Sequence, residues 1–92
     1  MQILWTDGAR RNLDSIEAFI ALDNPRAAAK TVVRIVKKIQ EQLAEYPGSR
    51  KLGRFEGTRE LIFSDLPYIV VYTVSDDAVI IVRLFHAAQQ LE

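Results

Sequence analysis

The chain has 92 residues, with 12 basic and 12 acidic side chains, a formal net charge of zero and no cysteine. This length forms one domain, predicted to span residues 1–92, and the lack of cysteine excludes disulfides and thiolate metal sites, as is typical of a reducing cytoplasm. The sequence shows no signal peptide and no apolar run of roughly 18 residues, so we expect a soluble cytoplasmic protein without a membrane partner. We expect the closing Leu91-Glu92 to be a cloning scar.

The first half of the chain predicts a strand followed by two helices. Residues 2–5 form a short apolar strand, and Thr6 or Asp7 can cap the helix that follows. Apolar side chains at spacings of three and four residues indicate this helix and a second, longer one. Asn24 is a good N-cap and Pro25 suits the first position of a helix, so the two helices are predicted to form an antiparallel hairpin.

The second half of the chain predicts a loop and three strands. The second helix is expected to end near residues 46–48, and residues 48–57 hold three glycines and several bases, which indicates a loop with a short strand near residues 52–55. Three strand-like segments follow, at residues 58–63, 68–74 and 79–85. The predicted fold class is α+β: an N-terminal strand, an antiparallel two-helix hairpin and a three- to four-stranded antiparallel sheet, in the order β-α-α-β-β-β.

Both faces of the predicted sheet are apolar. If the Asp-Asp dipeptide between the last two strands is a two-residue turn, strict alternation places Arg83 and Phe85 on the face of Tyr72, with Leu84 and His86 on the other. Antiparallel sheets usually leave one face in water, and the helical hairpin accounts for one covered face. We infer that a partner covers part of the second face, unless the helices and the C-terminal tail suffice.

Basic residues gather in the middle of the chain, which favours an anionic partner or an acidic peptide. The bases on the second helix also fit an ordinary solvated face, whereas the loop bases Arg50, Lys51 and Arg54 are harder to explain in that way. Glycine spacing in residues 48–53 resembles a phosphate-binding loop, but Arg54 and Phe55 stand where Lys and Ser or Thr belong. Nucleotide binding is therefore not expected.

Charged residues on the strands have structural and functional interpretations. The single histidine, His86, has no neighbouring ligands for a metal site, and it is either a partly buried strand-end residue or a general acid or base. Arg83 either extends to the sheet edge or contacts a carboxylate or phosphate of a partner. Arg59 is expected to tie its strand to a carboxylate such as Glu56 or to the loop backbone, with a contact role as the alternative. No cofactor or metal is predicted.

Four groups of residues form a recognisable ordered set: Asn24-Pro25, Gly57-Thr58-Arg59-Glu60-Leu61, Pro67-Tyr68 with Tyr72, and Arg83 with His86-Ala87. With these residues the chain resembles toxins of the RelE/ParE superfamily of bacterial type II toxin–antitoxin modules. The similarity covers nearly the whole chain and is closer to the ParE-like, plasmid-stabilisation branch. It implies a helical hairpin packed on a curved sheet. It also implies a cognate antitoxin that wraps the toxin. The expected assembly is a homodimer or a toxin–antitoxin hetero-oligomer.

Members of this superfamily have two activities. RelE-like members cut messenger RNA in the ribosome. In those members an arginine follows the residue that matches Tyr68, whereas this chain has Ile69 at that position. Residues 86–90 also contain no arginine or tyrosine. ParE-like members bind and inhibit DNA gyrase without chemistry, and the resemblance favours this activity. Ribosome-dependent RNA cleavage, with Arg59 and His86 as weak catalytic candidates, and a non-toxic interaction module are the alternatives. The predicted contacts to target or antitoxin are Lys51, Arg54, Arg59, Arg83 and His86.

Overall fold

The computed structural model describes residues 1–44 and 51–88. Within them the elements follow the predicted order and confirm the α+β class. The predicted end of the second helix, near residues 46–48, and the loop base Arg50 lie outside the described residues. The elements are β1 Gln2–Trp5, α1 Asp7–Ala21, α2 Pro25–Leu43, β2 Lys51–Leu52, β3 Arg59–Ile62, β4 Tyr68–Val74 and β5 Ala78–His86.

Both helices begin at the polar caps that the sequence predicts. The Thr6 hydroxyl accepts a hydrogen bond from the Ala9 N–H at 3.0 Å, and the Asn24 side chain accepts one from the Ala27 N–H at 3.1 Å. Pro25 is the first residue of α2, where its missing N–H leaves no helical hydrogen bond unmade. Asn24 and Pro25 therefore begin α2 directly after the short connection that follows α1. Neither helix, within the described part of the chain, is long and apolar enough to cross a membrane.

The five strands form one sheet in the order β1-β5-β4-β3-β2. The pairs β2–β3, β3–β4 and β4–β5 are antiparallel, as predicted. The sheet is nevertheless mixed, because β1 pairs in parallel with β5. Parallel neighbours need a long connection between them, and α1, α2 and the later strands supply that length. The predicted sheet is thus correct except for its first strand.

A β-bulge interrupts β5 at Val82. Val71 pairs with Arg83, whereas the next residue of β4, Tyr72, pairs with Ile81. Between these two pairs β4 advances by one residue and β5 by two, so Val82 is the extra residue. Such an extra residue changes which face the following side chains occupy.

The faces predicted for the last residues of β5 are wrong because of this bulge. Leu84 belongs to the main core beneath the helices, and His86 lies on the same face, opposite Tyr68. Arg83 and Phe85 lie on the face that turns away from the helices. Strict alternation predicts the opposite arrangement. The difference matters because the bulge places Arg83 on the face away from the helices.

Two apolar clusters lie on opposite faces of the sheet. The larger packs under the helices, and the smaller consists of Ile69, Val71 and Phe85, with Phe55 packed against it. The loop before β3 thus covers part of the second face, for which the sequence predicted a partner or, as the alternative, the helices and the C-terminal tail. Ile62, on the same face, remains 51% exposed. The larger cluster contains Ala9, Ile35, Ile39, Leu43, Leu61, Phe63, Tyr68, Val70, Tyr72, Val79, Ile81 and Leu84.

Candidate functional site

The loop between β2 and β3, residues 53–58, folds back over the face of the sheet that turns away from the helices. Gly53 donates its N–H to the Thr58 carbonyl at 2.8 Å, and the Thr58 hydroxyl donates to the Phe55 carbonyl. Gly57 has φ of +75°, a backbone conformation that favours glycine. A Cβ on Gly53 would collide with the Thr58 side chain. The loop is therefore a compact turn that holds Phe55 against the sheet.

Two arginines stack on two phenylalanines where this loop meets the sheet. The Arg83 guanidinium carbon Cζ lies 4.8 Å from the Phe55 ring centroid, and the Arg54 Cζ lies 4.9 Å from the Phe85 ring centroid. Both distances fall within the range of cation–π attraction. We call these four residues the arginine–phenylalanine cluster. Each arginine contacts a ring from the other segment, so the contacts tie the loop to β5 and restrict both guanidinium groups.

A buried glutamate lies beneath the cluster. Glu60 is 2% exposed, and its Oε2 accepts hydrogen bonds from the Arg54 backbone N–H at 2.8 Å and from the Arg54 Nε–H at 3.0 Å. A carboxylate removed from water requires such pairing, because an uncompensated buried charge is costly. Arg59 is expected from the sequence to tie this strand to a carboxylate or to the loop backbone, and that expectation stays a prediction. Its neighbour Glu60 makes a contact of this kind, since its carboxylate joins β3 to the Arg54 backbone and side chain.

The structure divides the five predicted contact residues. Arg54 and Arg83 meet in the arginine–phenylalanine cluster. Arg59 lies on the opposite face of β3, half-buried and opposite Tyr72, which belongs to the core under the helices. Lys51 is in β2, and its side chain lies outside the described part of the structure. The cluster therefore brings together two of the five predicted contact residues.

His86 lies apart from the cluster, on the face that carries the helices. Its ring packs edge-on against Tyr68 with centroids 5.5 Å apart, and its Nδ1 accepts a hydrogen bond from the Ala88 N–H at 3.0 Å. Burial raises the pKa of the Tyr68 hydroxyl. A neighbouring groove of about 610 Å³ is lined by Asn12, Ser15, Ile16, Phe19, Ile20, Tyr68, Leu84, Phe85 and His86.

Arg59 and His86, the weak catalytic candidates, do not form one site. Their partners on β4 are Tyr72 and Tyr68, which lie four residues apart. Four residues of an extended strand span about 13 Å, and β4 separates the two side chains laterally as well. Both lie on the same face, but they are too far apart to act on the same atom.

Three residues of the site were not predicted as functional: Phe55, Glu60 and Phe85. The clue for Glu60 was available, since a strand with apolar neighbours on both faces buries its carboxylate and then requires a nearby base. The position of Phe85 depends on the bulge, which no local signal predicts. Within residues 1–44 and 51–88, no group of three or more acidic or histidine side chains could hold a metal ion.

Comparisons with known proteins agree on one group of relatives. A family model described as ParE toxin of type II toxin-antitoxin system, parDE, matches residues 3–91. The chain is 48% identical over 89 residues to "Putative toxin Y4kP" of Sinorhizobium fredii, covering 97% of this chain and 91% of the relative. It is 38% identical over 88 residues to "Toxin RelE2" of Caulobacter vibrioides, covering 96% and 97%.

Two solved structures share the fold. One, described as the chromosomal ParDE TA system from P. aeruginosa, has a TM-score of 0.78 and 27% identity over 94% of this chain and 95% of that one. The other, a conserved hypothetical protein HP0894 from Helicobacter pylori, has a TM-score of 0.61 and 16% identity over 97% of each chain, a likeness of fold alone.

Proposed function

Because the chain belongs to the ParE toxin family of type II toxin–antitoxin systems, we propose that it arrests growth by binding DNA gyrase and performs no chemistry of its own. A cognate antitoxin would neutralise it in the cytoplasm. The observation that carries this proposal is the arginine–phenylalanine cluster, which places two guanidinium groups side by side on one face of the sheet.

The cluster has the properties of a protein-binding surface. A guanidinium group offers a planar set of donors that matches a carboxylate or phosphate with two parallel hydrogen bonds. Arg54 and Arg83 are already restricted by their rings, so less conformational entropy is lost when a partner orders them. Arginine and aromatic residues are enriched among the side chains that dominate binding energy. Ile62, exposed on the same face, adds an apolar contact.

Neither the four residues of the cluster nor the glutamate beneath it is suited to acid–base catalysis. RNA cleavage through the 2′-hydroxyl needs a residue that accepts its proton within hydrogen-bonding reach. Arginine stays protonated at neutral pH, and the Glu60 carboxylate is buried and bonded to Arg54. His86, the only histidine, lies on the opposite face of the sheet. Binding without chemistry therefore agrees better with this arrangement.

RNA cleavage on the ribosome remains the second candidate. One relative is named Toxin RelE2, and the two arginines of the cluster could hold RNA phosphates as well as carboxylates. In that case Arg54 and Arg83 would stabilise the charge that develops on the phosphate. The two candidates differ in their products, since one traps DNA cuts by gyrase and the other produces cut messenger RNA.

Inducible expression in bacterial cells tests the proposal. We expect growth arrest with a DNA-damage response and intact messenger RNA, and we expect Arg54→Ala with Arg83→Ala to relieve the arrest. Arg26→Ala, which removes an exposed arginine from α2, is the matched control and should stay toxic. Messenger RNA cuts without DNA damage would support the second candidate, and harmless expression at equal protein level would indicate a non-toxic interaction module.

A further inference from the structure

We propose that Glu60 is a positioning residue that sets the direction of the Arg54 guanidinium on the target-contact surface. Its effect on target binding rests on the proposed function, whereas its effect on the geometry of Arg54 does not. Glu60 has no surface of its own for a partner, since it is 2% exposed. It acts through the arginine that covers it.

A single carboxylate oxygen holds both the backbone and the side chain of Arg54. Oε2 accepts from the backbone N–H at 2.8 Å and from Nε–H at 3.0 Å, while Oε1 lies 3.5 Å from Nη2. The backbone contact fixes where the side chain starts, and the Nε contact fixes the inner edge of the guanidinium. Charge-assisted hydrogen bonds of this length are stronger and more directional than neutral ones.

The ring of Phe85 supplies the second constraint on Arg54. With Cζ 4.9 Å from the ring centroid, one side of the guanidinium packs against the aromatic face. The carboxylate controls rotation of the guanidinium over the ring, which stacking alone does not. The outer edge of the group is therefore directed toward solvent, in agreement with the 38% exposure of the Arg54 side chain. Without the carboxylate, the guanidinium could turn over the ring and sample more rotamers.

Stability alone is a poor explanation for a buried charge at this position. The neighbours of Glu60 on this face are apolar. Ile62 is the next residue on the same face of β3, and Val71 is the cross-strand partner of Glu60. Buried ion pairs are often no more stabilising than apolar side chains of similar volume, because both charges must be removed from water. What a carboxylate supplies and an apolar side chain does not is a fixed hydrogen-bond direction for Arg54.

The geometry can be tested by NMR on the purified chain. We expect the Arg54 Nε–H proton to resonate downfield and to exchange slowly with water; the signal is assigned by its disappearance in Arg54→Lys. In Glu60→Gln it should move toward the position of an exposed arginine such as Arg26 and exchange at least about tenfold faster. Glu56→Gln, a change of an exposed glutamate in the same loop, is the control and should leave the signal unchanged.

An Arg54 signal that stays in place in a folded Glu60→Gln variant overturns the proposal, whatever the target is. If Glu60→Gln and Glu56→Gln have equal thermal midpoints, a shift of the Arg54 Nε–H signal in Glu60→Gln reports a local change and not a loss of stability. If Glu60→Gln does not fold, the wild-type signal still decides, because a rapidly exchanging Nε–H at the exposed-arginine position would contradict the positioning role.

A double-mutant cycle then tests the effect on the target. We expect Glu60→Gln to weaken gyrase inhibition about two- to tenfold, the range expected when one long side chain has to be ordered on binding. In the Arg54→Ala background the same change should have no further effect. An equal loss in both backgrounds would contradict the proposal. If the wild-type chain does not inhibit gyrase, the proposed function fails, and the NMR result still decides the positioning role.

Discussion

Phe55 is the side chain whose removal tests how the loop is held on the sheet. It is mostly buried against Ile69, Val71 and Phe85, and its ring stacks with Arg83. A buried phenylalanine removes on the order of 150 Å² from water, at about 25 cal/mol per Å², and such areas are upper bounds. Because Phe55 is partly exposed, its burial contributes about 2 kcal/mol to the free energy of unfolding. The cation–π contact with Arg83 adds about 0.5 kcal/mol or more.

We therefore expect Phe55→Ala to lower the free energy of unfolding by about 2–3 kcal/mol in urea titrations, and the thermal midpoint by about 10 °C or more. Phe19→Ala is the matched control, because Phe19 is 75% exposed on α1 and alanine favours a helix. It should change the free energy of unfolding by less than about 0.5 kcal/mol. An equally small change for Phe55→Ala would refute the packing of the loop described above.

Three further changes have defined outcomes. Gly57→Ala should cost about 1 kcal/mol of unfolding free energy in urea, because φ is +75° there. Asn24→Ala should cost about 1 kcal/mol in the same assay by removing the cap of α2, and unchanged stability would contradict the cap. The Lys38 hydrogen bond lowers the pKa of Asp65, assisted by the charge of Arg34. A carboxyl whose pKa is lowered by folding contributes stability at pH values above its unfolded pKa, and this contribution is lost as pH falls through its folded pKa. The free energy of unfolding should therefore decrease below about pH 4, and it should decrease less in Asp65→Asn.

Local signals predicted much of the fold. The polar caps Thr6 and Asn24 begin the two helices, and residues 68–74 form a strand with the predicted bounds. The turn before β5 is also as expected, with the Ser75 N–H donating to the Ala78 carbonyl at 2.9 Å. These features depend on residues close together in the chain, where composition and spacing are informative.

Features that depend on distant residues could not be predicted in the same way. Nothing near residues 2–5 indicates that this strand pairs in parallel with the last one. The bulge at Val82 has no signal either, because both faces of β5 are apolar and a shift of one residue leaves the pattern unchanged. The candidate site depends on that shift, since it brings Arg83 and Phe85 to the loop that carries Arg54.

The most direct test of the proposed function is a gyrase assay with purified components. Relaxed plasmid, gyrase and ATP are incubated with the wild-type chain, the Arg54→Ala, Arg83→Ala double variant, or the Arg26→Ala control. We expect the wild type and the control to block supercoiling and to accumulate gyrase-bound linear DNA, and the double variant to do so only at much higher concentration. Full supercoiling at saturating wild-type protein would contradict gyrase as the target, and equal potency of the double variant would contradict the cluster as the contact surface.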